Sequence, residues 1–197
     1  LTVSAVGQAI DLSGTGNDLT GAVTLTGAAV TLEDTTDTSI AGITATGALS
    51  VTSGGAITQT GAVDADLASS FTTSTADQAI TLSNTANALT GAVSLTTSGT
   101  VGHVTIDNGT TALGVQGTVS GDLALTSGEA ITDSAALSVT GTTTVTTDVA
   151  DKTITLDTLA STGAVLLTTS GTAGNVLIDN GTTALDLGAS TISGTLS

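Results

Sequence analysis

LTTSGTVGHVTIDNGTTAL, residues 95–113, returns at a shift of 72 as LTTSGTAGNVLIDNGTTAL, residues 167–185, with 16 of 19 positions identical. Working outward, QAIDLSGTGNDLTGAVTLT at 8–26 returns at a shift of 70 as QAITLSNTANALTGAVSLT at 78–96, identical at 14 of 19 positions. A third pair, 49–82 against 123–156, runs at a shift of 74 and shares SG-x-AIT and a closing ITL. Shifts of 70, 72 and 74 describe one long unit whose loops gain or lose a few residues. Internal self-similarity is the mark of a repeat architecture and has to be read before any local structure.

Within the unit, apolar residues come as pairs two apart: Ile80/Leu82, Val93/Leu95, Val104/Ile106, Leu113/Val115, Leu123/Leu125, Leu137/Val139 and Ile154/Leu156. Period two over three to five residues places both members of a pair on one face of a strand. Threonine, abundant between and beside the pairs, is β-branched and favours strands. Ser-Gly at 53–54, 98–99, 127–128 and 170–171 and Asp-Asn-Gly at 107–109 and 179–181 separate the strands, Gly and Asn being the residues that accept positive φ. A sandwich would share this strand spacing but would not repeat its sequence so closely. Stacked coils do, because each coil packs only on its neighbours and like side chains form ladders.

The expected fold is therefore all-β, a β-solenoid with about 18–20 residues per coil, built on a sequence unit of roughly 70–74 residues. Val104 to Leu123 is a step of 19, and Leu123 to Thr143 a step of 20. The unit then reads as four coils, with three coils of about 25 as the alternative, and residues 1–197 as one continuous segment of about ten coils, roughly 50 Å long.

Composition agrees. Of 197 residues one is Lys, none is Arg and seventeen are Asp or Glu, a net charge of −16 that disfavours nucleic acid and anionic lipid as partners. There is no Pro, Cys, Met, Trp or Tyr, and one Phe. Proline would remove a ladder hydrogen bond at any coil position, and a thin core of Val, Ile, Leu and Ala suits levels that resemble one another. Without cysteine there are no disulfides, thiolate metal sites or thiol nucleophiles. Mean hydropathy is +0.45, yet polar residues interrupt every apolar run well short of the roughly 18 residues of a spanning helix, so no membrane-spanning segment is expected. Residues 1–4 do not resemble a signal peptide.

Strings such as GAITQTGAV at 55–63, LTGAVSLT at 89–96, EAITDSAALSVTGTTTVTT at 129–147 and LDLGASTISGTLS at 185–197 resemble the repeats of giant filamentous-haemagglutinin-like adhesins and related large exoproteins. The resemblance covers essentially the whole chain. It implies a right-handed parallel β-helix (β-solenoid), exported to the bacterial-type cell surface or beyond, serving as a fibre or adhesin stalk. Receptor-binding and secretion domains of such proteins lie elsewhere in the chain.

Candidate chemistry can be weighed by comparing copies. His103, the only histidine, becomes Asn175, which reads as a polar corner rather than an acid–base group. Lys152 aligns with Gln78 and reads as a solvated turn residue, and Phe71 aligns with Val145 and reads as core or loop edge. Asp64 and Asp66 have the spacing of a carboxylate pair, but their counterparts are Ser138 and Thr140, and a chain with one Lys and no Arg or Tyr has little to stabilise an oxyanion. Glu33, Asp34 and Asp37 form the densest acidic cluster and are the weak Ca²⁺ candidates, against the reading of a solvated loop. Asp107 and Asp179, like Asp77 and Asp151, recur between copies as expected of side chains that cap their own turns.

The functional expectation is a non-catalytic spacer, fibre shaft or adhesin stalk without a cofactor. Its partners would be neighbouring repeats or copies of itself stacked end to end, with host, cell-surface or carbohydrate ligands for an adhesin. The alternatives are ice binding through Thr-x-Thr at 24–26, 44–46, 58–60 and 144–146, and a carbohydrate-active β-helix enzyme. Leu1 and Ser197 both fall inside the pattern, as in a segment of a longer chain or an end-to-end stack.

Overall fold

The computed structural model describes residues 1–197. It has 21 strands and no helix, and every strand pairing is parallel. The strands form two sheets of 11 and 10 members. The first sheet starts at Thr2–Ala5 and the second at Ile10–Leu12, and the chain alternates between them, giving nine strands along the path of each. This is a parallel β-solenoid of nine coils, about 43 Å long at 4.8 Å per coil.

The paired residues predicted from sequence are found in place: Val104 pairs with Leu123, and Leu123 with Thr143, steps of 19 and 20. Elsewhere the coil lengthens. Ile80 pairs with Val104 and Ser69 with Val93, both steps of 24, because the corners at 74–79 and 97–103 are long. The longer coils reduce the count from ten to nine.

They also change the composition of the repeat, which holds three and a half coils rather than four. Ile10 lies on the second sheet, its counterpart Ile80 on the first, and the next counterpart, Ile154, again on the second. Successive copies therefore occupy opposite sheets, and equivalent residues do not sit directly above one another.

Five-residue strands such as Val23–Gly27, Leu49–Ser53, Leu123–Ser127 and Thr143–Thr147 bury alternate positions and leave the two between them half exposed. Thirty-six buried apolar residues form one continuous core, an average of four per coil over nine coils. Each Val, Leu, Ile or Phe side chain among them contributes about 1.5–3 kcal/mol when fully buried, and each coil closes the core of its neighbours. Phe71 is fully buried in this core, paired between Val51 and Leu95. The inward position at the end of several strands is a small hydroxyl residue that secures the corner: Ser53 Oγ donates to the Thr36 carbonyl at 2.7 Å, and Ser127 Oγ to Thr111 at 2.7 Å.

Candidate functional site

The recurring polar chemistry of the chain lies at the corners, where the strands end and the backbone N–H groups have no ladder partner. Asp77 Oδ1 accepts the N–H of Thr100 at 2.6 Å and of Val101 at 3.0 Å. In the next copy Asp151 Oδ1 accepts Thr172 N–H at 2.6 Å and Ala173 N–H at 2.7 Å. Both pairs of bonds run to the following coil, so these aspartates do not cap their own turns as expected. They staple one coil to the next. Asp107 and Asp179 behave as expected, accepting Gly109 N–H at 2.9 Å and Gly181 N–H at 2.7 Å within their own turns.

The staple recurs with other acceptors. Asp37 takes the Ala56 N–H at 2.8 Å, Asp122 the Thr142 N–H at 2.7 Å, His103 Nδ1 the Asp122 N–H at 2.9 Å and Asn175 Oδ1 the Thr195 N–H at 2.9 Å. His103 and Asn175 thus do the same work, as the copy comparison predicted. In each case the residue just before the acceptor's first target is a glycine: a Cβ on Gly55, Gly99, Gly121, Gly141, Gly171 or Gly194 would collide with the acceptor atom.

Strain accompanies two of the staples. Asp77 and Asp151 are the only non-glycine residues with positive φ, 64° in both, facing Gly99 and Gly171 at φ 91°. A left-handed conformation costs a non-glycine residue about 1–2 kcal/mol. The two N–H bonds to each carboxylate offset it. Those of Thr100 and then Val101 hold the Asp77 carboxyl below its ordinary range, and those of Thr172 and then Ala173 do the same for Asp151. Asp11 is lowered by bonds from the Ser13 side chain and backbone within its own turn.

Asp-Asn-Gly has a division of labour different from that expected. Glycine alone takes positive φ, 54° at Gly109 and 58° at Gly181. The asparagine points inward. Asn108 is fully buried, accepts the Leu89 N–H at 2.8 Å and donates to the carbonyls of Leu89, Thr111 and Ala112. Asn180 repeats the pattern on Ser161, Thr183 and Ala184. A side-chain amide offers the N–H and C=O of a peptide unit and one further N–H, so each asparagine replaces a missing rung where the strand of the preceding coil has no neighbour. Of the Ser-Gly corners only 98–99 and 170–171 use a positive-φ glycine.

The sequence candidates separate. Glu33 stands outward on the second sheet, whereas Asp34 points into the corner and accepts from the Leu19 and Thr36 N–H groups at 3.2 Å. Asp37 reaches to the next coil. The three Ca²⁺ candidates are thus not brought to one point, and no group of three or more Asp, Glu, His or Cys could hold a metal ion. Asp64 is outward on the strand Val63–Ala65, and Asp66 sits in the turn beyond it. Lys152 is not freely solvated: its Nζ donates to both oxygens of Glu129 at 2.7 and 2.8 Å, a partly exposed pair of small energetic worth.

The outward faces are nearly uncharged. Only Asp11, Glu33, Asp64 and Asp107 stand on outward strand positions, and most other acids lie in the connections. Ser50/Thr52, Ser70/Thr72 and Ser94/Thr96 lie in register on three successive coils of the second sheet. Among the Thr-x-Thr triplets, both threonines of 24–26 and of 144–146 face outward from strands of the first sheet.

Sequence reasoning did not find the staples, although a trace of them is present: a glycine follows Asp37, Asp77, His103, Asp122, Asp151 and Asn175 at a spacing of 18 to 22. That is one coil length, legible only once the coil is known.

A family described as Repeats of unknown function (DUF5649) matches residues 1–26, 27–96 and 101–170. The chain belongs to this family. The two longer matches, 27–96 and 101–170, are each as long as the shift of 70 that relates 8–26 to 78–96, so the DUF5649 unit has the period found within the chain. Its boundary at Thr26 falls on the first sheet and that at Thr96 on the second, so a DUF5649 unit too ends half a coil out of phase with its predecessor. Asp77 lies in one match and Asp151 in the next. No curated protein and no solved structure matches the chain.

Proposed function

We propose that this chain is a structural shaft, a non-catalytic repeat region that holds whatever lies beyond it at a distance, in an extracellular or cell-surface fibre or adhesin stalk. The observation that carries the reading is the direction of the polar bonds. Six acceptor side chains at the corners, and the buried amides of Asn108 and Asn180, bond to adjacent coils or close their own turns. The recurrent side-chain chemistry of the chain is directed at coil-to-coil cohesion, which is what a rod whose coils pack only on their neighbours requires. The surface location and adhesive role are supported by the repeat resemblance.

Two measurements test this. Small-angle scattering of the purified chain is expected to give a rod extended along one axis, lengthening by about 17 Å for each added repeat unit, from three and a half coils at about 4.8 Å. A compact particle would overturn the shaft. Antibodies against the repeat are expected to label intact, unpermeabilised cells of the source organism, and labelling only after permeabilisation would overturn the location.

A second reading, ice binding, is favoured by the registered Ser-x-Thr pairs at 50/52, 70/72 and 94/96, a hydroxyl array on successive coils. Its test is thermal hysteresis in a freezing-point assay. The shaft is preferred because hydroxyl residues are also what exposed strand positions favour in general.

A further inference from the structure

The half-integral repeat has a mechanical consequence that does not depend on where the shaft is located. Three independent sets of equivalents alternate between sheets. Ile10, Ile80 and Ile154 lie on the second, first and second sheets. Val23, Val93 and Val165 lie on the first, second and first. Leu49 lies on the second and Leu123 on the first.

The cross-section alternates with them. Long or divided strands lie on the first sheet at Thr38–Ala45, at Ile57–Gln59 with Val63–Ala65, and at Ile80–Leu82 with Ala88–Leu89. They lie on the second sheet at Leu113–Val119, at Ile131–Val139, and at Ile154–Leu156 with Leu159–Ser161. The stapled loops also change corner: 97–103 leads from the second sheet to the first, and 169–175 from the first to the second.

We infer that one repeat unit is a half-turn adaptor: adding or removing a unit rotates everything beyond it by half a turn about the solenoid axis while advancing it three and a half coils. A motif carried once per unit is then displayed on opposite sides in turn, and only an even number of units returns a downstream module to its original side. A partner recognising the loop at 97–103 would meet its near-copy at 169–175 from the opposite side of the rod. Repeat number thereby sets orientation as well as reach.

The test removes one unit, residues 80–153, so that Ala79 joins Ile154. On the adaptor reading Ile154 takes the place of Ile80 on the first sheet, beside Ile57. The chain contains no cysteine, so two cysteines can be placed at will and labelled with pyrene. Thr58→Cys with Thr155→Cys is expected to give strong excimer emission in the shortened chain and none in the full chain, where residues 58 and 155 lie on different sheets. Ser70→Cys with Thr155→Cys reports the competing arrangement, in which residue 155 stays on the second sheet. Excimer from that pair alone, or from neither in a chain with a β-sheet circular dichroism spectrum and a cooperative melt, overturns the inference.

Should the shortened chain not fold, duplication decides. Residues 80–153 are inserted a second time after Thr153, with Thr132→Cys in the first copy and Thr81→Cys in the second. The second-copy residue 81 is then expected to replace Thr155 beside Thr132 on the second sheet and give excimer emission. Its absence, or failure of both the shortened and the lengthened chain to fold, overturns the adaptor, since a unit of this kind has to be interchangeable.

Discussion

Asp77 Oδ1 lies 2.6 Å from the backbone nitrogen of Thr100, and in the next copy Asp151 Oδ1 lies 2.6 Å from that of Thr172. Two corners on opposite sides of the solenoid have the same bond, the same positive φ and a glycine in the same place. The carboxylates of both aspartates are held below their ordinary pKa by these bonds. A depressed folded-state pKa means that the unfolded chain binds the proton first, so stability from this source is present above the unfolded value near 4 and is lost as pH falls through the folded value. Thermal melts are expected to be flat from neutral pH down to about 5 and to decline below about 4. In a chain carrying Asp77→Asn and Asp151→Asn the acid decline should be shallower. An identical decline would assign acid sensitivity to other carboxylates.

Gly99 and Gly181 both have positive φ, 91° and 58°, but only the first faces a side chain that a Cβ would strike, that of Asp77. Around Gly181 the nearest atom to an added Cβ would be the Leu159 carbonyl at 4.0 Å. Gly181→Ala is expected to cost about 1 kcal/mol, the backbone term alone. Gly99→Ala should cost more, about 2–4 kcal/mol, since the staple is displaced as well. Urea denaturation of the two variants checks the order.

Asn108→Ala leaves the buried N–H and carbonyl of Leu89 without partners. The expected loss is about 2–4 kcal/mol, from the desolvation of groups that water cannot reach. Asn108→Asp keeps an acceptor for the Leu89 N–H but loses the three donated bonds and buries a charge, so it should be no better than alanine. Chemical denaturation of both variants decides this.

His103→Asn should be close to neutral, within about 0.5 kcal/mol, because Asn175 already forms the equivalent bond. His103→Ala should lose about 1 kcal/mol, the worth of one hydrogen bond. If the asparagine variant is as weak as alanine, the two corners are not equivalent.

Calcium at millimolar concentration, or its removal with a chelator, is expected to leave the melting temperature unchanged, because Glu33, Asp34 and Asp37 point in different directions. A rise in melting temperature that Asp37→Asn abolishes would restore the calcium site.

The strands were legible because burial of alternate residues leaves a period-two trace: Ile80/Leu82, Val93/Leu95 and Leu123/Leu125 are inward on strands as read. The equivalence of His103 with Asn175 was legible for a related reason, the chain containing its own comparison. The inward turn of Asn108 was not, because an Asn-Gly pair looks the same whether the asparagine bends the backbone or substitutes for a peptide unit. Nor were the corner staples, whose acceptor and glycine lie a coil apart in sequence and meet only after stacking.

Sequence by itself therefore determined the kind of structure: a proline-free, all-β stack with a thin aliphatic core and a unit that recurs at shifts of 70, 72 and 74. Those are properties of local alternation and of repetition, and neither needs distant parts of the chain to meet. Tertiary structure alone decided how many coils that unit holds. Coil length depends on how far each corner projects before it is stapled to the next, a step of 19 between Val104 and Leu123 but of 24 between Ile80 and Val104. The sum of those lengths closes at three and a half coils, and this places Ile80 across the core from the sheet that holds Ile10.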